Sequence, residues 1–406
     1  MSPRLPRRHV LAAAAAALAS PALAAPAVHA ADRPVTVGVL TDETGVLSSI
    51  SGLGSVLAAR MAIEDFGGTV LSRPVRLLHA DHQNKPDIGV AIARKWFDTE
   101  GVSMITDLAN SAVALAVQNL AHARGQVTLS STGGTIELMG KQCSPTGATW
   151  ANDTYSASVG LVRYFMDQLH KKTWFLMSAD YAFGHSMLDQ AAKAIAAHGG
   201  KVLGTIYHPL GTSDYSSYLL TAQASGAEVL MLGNAGTDLV NAIKQAHQMR
   251  LPQMIAASVV TIIDVHAIGL ADAGGMTFLT SFYWDRDDRT RAFAKRFMAK
   301  HGAPPTMFQA GTYSTTLTYL KAMKAAGSAE GIKVMDAMRA MPIEDVFSRH
   351  GRLRIDGRLV HDMLVARAKQ PGKGVGAWDL FDVVTVLPGD AVFRPLSESD
   401  CPLVHS

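Results

Sequence analysis

Several stretches bring together residue types that could do chemistry. Gly184-His185-Ser186-Met187-Leu188 opens like a nucleophile elbow, in which a tight turn exposes a serine beside its base. Leu188 stands where the closing glycine is needed. Gly140-Lys141 resembles the end of a phosphate loop, yet Gln142 replaces the hydroxyl residue that would hold magnesium. Gly52 and Gly54 begin a dinucleotide fingerprint that lacks its third glycine. The 15 histidines include no HExxH pair. Asp264 with His266, and His361 with Asp362, offer two ligands each where a metal centre needs more. Neither catalysis nor a metal or organic cofactor is therefore expected.

Whatever the chain binds must be positioned by its elements, and these alternate. Val35–Leu40 reads as a strand, followed by a Gly/Ser-rich loop and a helix from Ser55 to Phe66. Strands at 75–80, 102–106 and 127–129 alternate with helices after Pro86 and at 111–123. The series resumes with helix 155–170, strand 173–178 and helix 183–198. Strands at 202–207, 228–232 and 254–257 follow, separated by helices at 217–224 and 237–248. Such alternation predicts parallel βαβ units with both sheet faces covered. The last third predicts a strand at 276–283, helices at 289–301, 307–326 and 332–341, and a hairpin of 346–355 with 360–369. The Asp356-Gly357 turn would join that hairpin, and 378–387 would add a strand. More than ten strands exceed one ordinary open sheet, so two α/β lobes are expected.

The 406 residues are 48% apolar and 17% charged, which fits a folded globular chain of two or three units. Arg4, Arg7, Arg8 and His9 precede the apolar run Val10–Leu18 and small-x-small sites ending at Ala24 and Ala30. Residues 1–30 thus read as a removable export signal, and Arg7-Arg8 is compatible with the twin-arginine route. No acid falls in that segment, and the remainder has as many basic as acidic side chains. A neutral body gives no electrostatic case for nucleic acid or an anionic membrane. Cys143 and Cys401 are the only cysteines. An oxidising compartment favours a disulfide between them over two buried thiols.

The strand Val35-Thr36-Val37-Gly38-Val39-Leu40, with Thr44-Gly45, Gly54-Ser55 and the helix residues Ala62-Ile63-Glu64-Asp65, resembles the leucine/isoleucine/valine-binding family. These are type I periplasmic solute-binding proteins of ABC importers. Asp180-Tyr181-Ala182-Phe183-Gly184, Asp214-Tyr215-Ser216-Ser217 and Lys244-Gln245-Ala246 after Gly233-Asn234 extend the resemblance along the chain. His82-Gln83-Asn84-Lys85, Phe282-Tyr283-Trp284-Asp285 and Gly357-Arg358 with His361-Asp362-Met363 look like a subgroup associated with aromatic carboxylates. The resemblance implies two doubly wound parallel-sheet lobes joined by a three-crossing hinge. Residues 33–152 plus 280–344 would form lobe 1, 153–279 plus 345–385 lobe 2, and 386–406 a C-terminal tail. It also implies a monomeric periplasmic protein that delivers a small organic acid to an inner-membrane permease. A branched-chain or other amino acid, or a sensor on the same fold, are the alternatives.

In open α/β sheets the ligand crevice lies beyond the carboxyl ends of the strands. Asn110-Ser111 would place a helix N-terminus there, and Ser131-Thr132-Gly133-Gly134 would add hydroxyls and a close backbone. Together they are expected to clamp a carboxylate without Arg or Lys; ordinary helix capping is the competing role for Asn110 and Ser131. On the other side the family's covering aromatic aligns with Phe183, beside Asn234. Its second covering tyrosine aligns near Ala235, and its ammonium-holding acid near Ser258. An amino acid's ammonium would then lack a charged partner, and a desolvated unpaired cation is costly. Ile50, Tyr155, Phe183, Tyr283 and Trp284 are expected to line an apolar slot; core packing is the alternative for Tyr283 and Trp284.

Overall fold

The computed structural model describes residues 33–405; the expected export signal lies outside them. Strand β1 (Val35–Thr41) is buried along all seven residues, as a central strand covered on both faces must be. It is followed by α1 (Gly52–Phe66), β2 (Thr69–Val70), β3 (Arg73–Asp81), α2 (Pro86–Lys95) and β4 (Val102–Asp107). Next come α3 (Ser111–His122), β5 (Val127–Ser130) and β6 (Gly147–Thr149). They form a six-stranded sheet ordered β2-β3-β1-β4-β5-β6, parallel except for the β2–β3 pair.

A second series comprises α4 (Thr154–Arg163), β7 (Thr173–Ala179), α5 (Ala182–Ala197), β8 (Lys201–His208), α6 (Ser216–Ala224) and β9 (Val229–Leu232). It ends with α7 (Gly236–Gln248), β10 (Met254–Ala257), α8 (Ile262–Ile268) and α9 (Leu270–Ala273). Its four-stranded sheet runs β10-β9-β7-β8, all parallel. The expected helix over 155–170 is α-helical only to Arg163 and continues as a wider π turn over Tyr164–Gln168.

The last third supplies β11 (Thr277–Thr280), α10 (Asp288–His301), α11 (Met307–Ala326) and α12 (Gly331–Ala340). The chain then forms β12 (Arg352–Leu353), β13 (Leu359–Val360), β14 (Met363–Ala368), β15 (Phe381–Leu387) and α13 (Gly389–Val392). The long hairpin expected here is not formed. Only β12 and β13 pair across Asp356-Gly357, whereas β14 joins β11 and β15 in a separate antiparallel sheet. The turn chemistry was legible; β11, which pairs with one edge of β14, lies far upstream and leaves no local signal.

Helix α11 is buried from Met307 through Leu320, so it packs on all sides. A reciprocal Thr306–Gln309 capping box starts it, satisfying amide groups that a helix N-terminus leaves free. Its buried hydroxyls return to its own carbonyls, as in Thr312 to Phe308 (3.1 Å) and Thr316 to Thr312 (2.8 Å). Phe347, Leu353 and Leu359 join the core formed with Val334, Met335 and Met338 of α12. Residues in the 343–360 stretch also bridge Thr149 of the first sheet and pair Ile343 with Gly351. That stretch therefore has backbone contact with the first sheet at Thr149.

In the first sheet the chain moves outward from β1 to β3, then crosses back to β4 and on to β6. The strand order reverses between β1 and β4. In the second sheet it reverses between β7 and β9. Loops at such reversals splay apart and leave a crevice.

Candidate functional site

The two crevices open on one space. Leu47 and Ile50 follow β1, Ala109 and Ser111 follow β4, Thr132 follows β5, and Phe308 begins α11. From the second sheet come Tyr181 and Phe183 after β7, Ala235 after β9 and Val259 after β10. These ten residues enclose a cavity of about 20 Å³. Ligand pockets of small-molecule binders occupy about 300 Å³ or more, so a solute enters only if the two rims separate.

Local chemistry fixes each rim. The buried Asp42 carboxylate accepts the Gly45 amide (2.7 Å), the Leu47 amide (2.8 Å) and Asn84 Nδ2 (2.7 Å). That folds the loop back so that Leu47 and Ile50 face inward. Thr306 Oγ1 donates to the Ile50 carbonyl at 2.6 Å, tying the loop to α11. On the opposite rim Tyr181 and Phe183 stack with ring centroids 5.9 Å apart and planes 29° apart. The rims touch where the Thr237 amide donates to the Val46 carbonyl at 3.1 Å. Gly236, at φ +59°, allows this approach: a Cβ there would lie 2.2 Å from the Val46 oxygen.

The lining carries side-chain hydroxyls at Ser111, Thr132 and Tyr181 and no charged side chain. Ser111 Oγ accepts the Thr135 amide at 3.2 Å, which leaves its own proton to donate. Thr132 Oγ1 donates to Asp107 Oδ1, and Ser131 Oγ donates to the same oxygen at 3.2 Å. Asp107 is fully buried, and burial pushes its carboxyl up to about 6 against the pull of the surrounding hydroxyls. Asp107 and Leu108 both hold left-handed φ values, +74° and +53°, a conformation costly for residues with side chains. The resulting bend aims their carbonyls at the Thr132 and Gly133 amides, both at 3.1 Å.

The sequence-derived site is only partly assembled. Ile50, Ser111, Thr132, Phe183 and Ala235 line the cavity. Asn110 instead caps α3, accepting the Ala112 and Val113 amides at 2.9 and 3.3 Å. Ser131 serves Asp107, and the Thr132 and Gly133 amides of the expected clamp are taken by the Asp107 and Leu108 carbonyls. Asn234 is turned to His208 (3.0 Å), and Ser258 donates to the Leu232 carbonyl (2.9 Å). Tyr283 packs on Phe381 in the core, with centroids 4.2 Å apart. Trp284 Nε1 donates to the Trp378 carbonyl (3.0 Å). Tyr155 lies in a separate cleft with Arg163, Lys193, Arg394 and Glu398. Leu47, Ala109, Tyr181, Val259 and Phe308 were missed. Tyr181 alone had a signal, since it lies in the Asp180–Gly184 stretch that carries the family resemblance.

Other clefts are larger, including one of about 460 Å³ between α4 and the small antiparallel sheet. It touches neither reversal point and has an exposed strand, with Val384 and Val386 half exposed. We therefore take the cavity at the two reversals as the functional one. In the elbow-like stretch Ser186 bonds Thr154 (2.6 Å), while His185 pairs with Asp180 (2.7 Å). Among the described residues no group of three or more His, Cys, Asp and Glu could hold a metal ion, and no helix is long and apolar enough to cross a membrane.

Known proteins share this fold. The profile of the family described as periplasmic binding protein matches residues 34–374. A periplasmic binding protein from Burkholderia mallei is 40% identical, over 91% of this chain and 99% of its own, with a TM-score of 0.89. A branched chain amino acid ABC transporter periplasmic ligand-binding protein from Burkholderia xenovorans is 42% identical, over 91% of this chain and 100% of its own, with a TM-score of 0.81. A solute binding protein of an ABC transporter from R. palustris, solved in complex with benzoate, has a TM-score of 0.78. It covers 87% of this chain and 97% of its own at 17% identity, a level that speaks for the fold alone.

Proposed function

The chain belongs to the periplasmic binding protein family, and from that premise we propose that it captures a small organic acid with an apolar, ring-sized body for an ABC importer. The observation carrying this reading is the composition of the cavity. Its walls are aliphatic and aromatic, its polar groups are hydroxyls, and no charged side chain lines it. A flat acid can place its ring against Tyr181, Phe183 and Phe308 and its carboxylate against Ser111 and Thr132. An amino acid would also bring an ammonium, which has no carboxylate in the lining to meet it. Benzoate in the R. palustris neighbour is in keeping with the acid. The B. xenovorans relative, a branched chain amino acid ABC transporter periplasmic ligand-binding protein, favours the second reading, a branched-chain amino acid. A sensor on this fold is the third.

Capture would work by population shift: solute bridges both rims only when they meet, so its binding energy favours closure. We assign 33–152 with 280–360 to one jaw and 153–279 with 361–385 to the other; residues 386–406 form the tail. An export signal at 1–30, a periplasmic location, a monomer and an inner-membrane permease as partner complete the proposal. No turnover is part of it.

Thermal-shift measurements decide between the solutes. Benzoate, 4-hydroxybenzoate or cinnamate at about 100 times Kd should stabilise the protein by ~2.7 kcal/mol, with no response to leucine or valine. Stabilisation by leucine and valine alone would reverse the assignment.

The Val46–Gly236 contact yields a second expectation. Gly236→Ala puts a methyl group into the Val46 carbonyl and forces an L-residue into left-handed φ. Solute affinity should fall at least tenfold in calorimetry, about 1.4 kcal/mol, with small-angle scattering showing a more open form at saturating acid. An unchanged Kd would remove this contact from the closed state.

A further inference from the structure

We infer that Asp107 sets the charge class of the solute: a carboxylate enters the cavity together with one proton, which the Asp107 side chain takes up. This rests on reading the cavity as the solute site.

Thr132 is a lining residue whose hydroxyl proton is committed inward, to Asp107 Oδ1. Ser131 donates to the same oxygen at 3.2 Å, while Oδ2 is buried without a close hydrogen-bond partner. With Asp107 ionised, Thr132 therefore shows the cavity only oxygen lone pairs. A solute carboxylate placed there would meet those lone pairs with a second carboxylate one hydrogen bond behind them. Protonation removes that charge and reverses the bond. The Asp107 O–H can then donate to Thr132 Oγ1, whose own proton becomes free for the solute. Ser111, whose oxygen already accepts the Thr135 amide, supplies the second proton of the pair.

Among the described residues the groups that act on the Asp107 carboxyl are hydroxyls, not cations. From β1 the carboxyl meets Thr41, and from α1 Ser55; with Ser131 and Thr132 these are the hydroxyls acting on it. The next group along β1 is Asp42, itself an acid held by Gly45, Leu47 and Asn84. Farther along α1, Asp65 is paired with Arg296 and Glu64 with Lys300. On α11 the titratable Tyr313 bonds Asp65, and Asp345 takes Ser314. His82, beyond β3, is buried and held neutral, its pKa lowered to about 4 by burial. Thus the charge balance on binding an anion falls to Asp107. Its carboxyl already sits at about 6 rather than the usual 3.8 because it is buried. A neighbouring anion moves it further up, so binding takes up a proton wherever the free protein is ionised, and affinity falls as pH rises.

The test is calorimetry of the intact protein with benzoate at about pH 5.5, 6.5 and 7.5, where the ligand stays ionised. Each pH uses two buffers of different ionisation enthalpy. Proton uptake should climb from well under half a proton to nearly one across this range, with Kd rising up to about tenfold per pH unit above pH 6. Asp107→Asn should bind with no uptake and a flat pH profile. Benzoate bound without proton exchange at the highest pH overturns the inference and leaves the organic-acid reading intact. Thermal-shift silence towards every acid at all three pH values overturns both. The wild-type buffer pairs decide the matter even if the variant folds poorly.

Discussion

Replacing Arg358 by methionine is expected to lower the unfolding free energy by about 3–5 kcal/mol. Arg358 is 1% exposed, as is its ion-pair partner Asp153 at 3.3 Å. Its Nη2 donates to the carbonyls of Trp150 and Ala151, and its Nε to that of Leu359 at 2.7 Å. The guanidinium also lies 4.1 Å from the Phe393 ring centroid. Residues 150–153 carry the chain out of the first sheet towards α4, so one buried fork ties this connection to the segment around β13. Methionine retains much of the volume but leaves Asp153 buried with its charge unpaired and carbonyls without donors. Arg352→Met is the control. Its pairing with Asp390 joins two side chains that are 55% and 77% exposed, and such pairs are worth about 1 kcal/mol or less. Urea denaturation followed by circular dichroism measures both. A loss below about 1 kcal/mol for Arg358→Met would show that the buried fork is dispensable.

Removing the disulfide should have a comparable effect. Cys143 and Cys401 are bonded in the structure, 258 residues apart. Closing so long a loop in the unfolded chain corresponds to about 5 kcal/mol in the entropic account, and measured losses for native bridges run to about 2–5 kcal/mol. The bond also anchors the tail: Arg354 Nη1 holds the Arg394 carbonyl at 2.8 Å, next to the Phe393 that covers Arg358. Cys143→Ser with Cys401→Ser should therefore lower Tm by about 3–6 °C, given about 2.1 cal/mol/K per residue at the midpoint. Reductant should shift wild type by the same amount and leave the double variant unmoved. An unchanged midpoint on reduction would mean that the tail is held by packing alone. Because Phe393 links the two sites, the losses from Arg358→Met and from the missing bridge should not add.

The fold was legible largely through periodicity. Eight strands of the two parallel sheets fall within two residues of where apolar runs place them, whereas β2 and β6, two and three residues long, had no run to mark them. Strands β1, β5 and β9 are buried throughout, which local apolarity alone signals. Several side chains expected at the site lie elsewhere, for local reasons. Tyr283 and Trp284 are aromatic residues near a strand end, and their type alone does not say which way they face; both turned to the core. Asn110 had a capping role available within its own helix, and that local bond won over a distant ligand. Asp107 drew no notice, since an acid ending a strand normally reaches water. Only the stacking of Ser131, Thr132 and Thr312 around it shows a carboxyl shut inside.

From sequence alone came the succession of strands and helices and the absence of a complete catalytic motif, because both are properties of neighbouring residues and fixed spacings. The resemblance to a known family rested on the order of short motifs along the chain. The tertiary structure decided which loops meet and therefore what the cavity is made of. Leu47 and Tyr181, or Thr132 and Phe308, are brought together by sheets that each reverse their strand order, and the spacing of residues in a chain carries no record of contacts made across such distances.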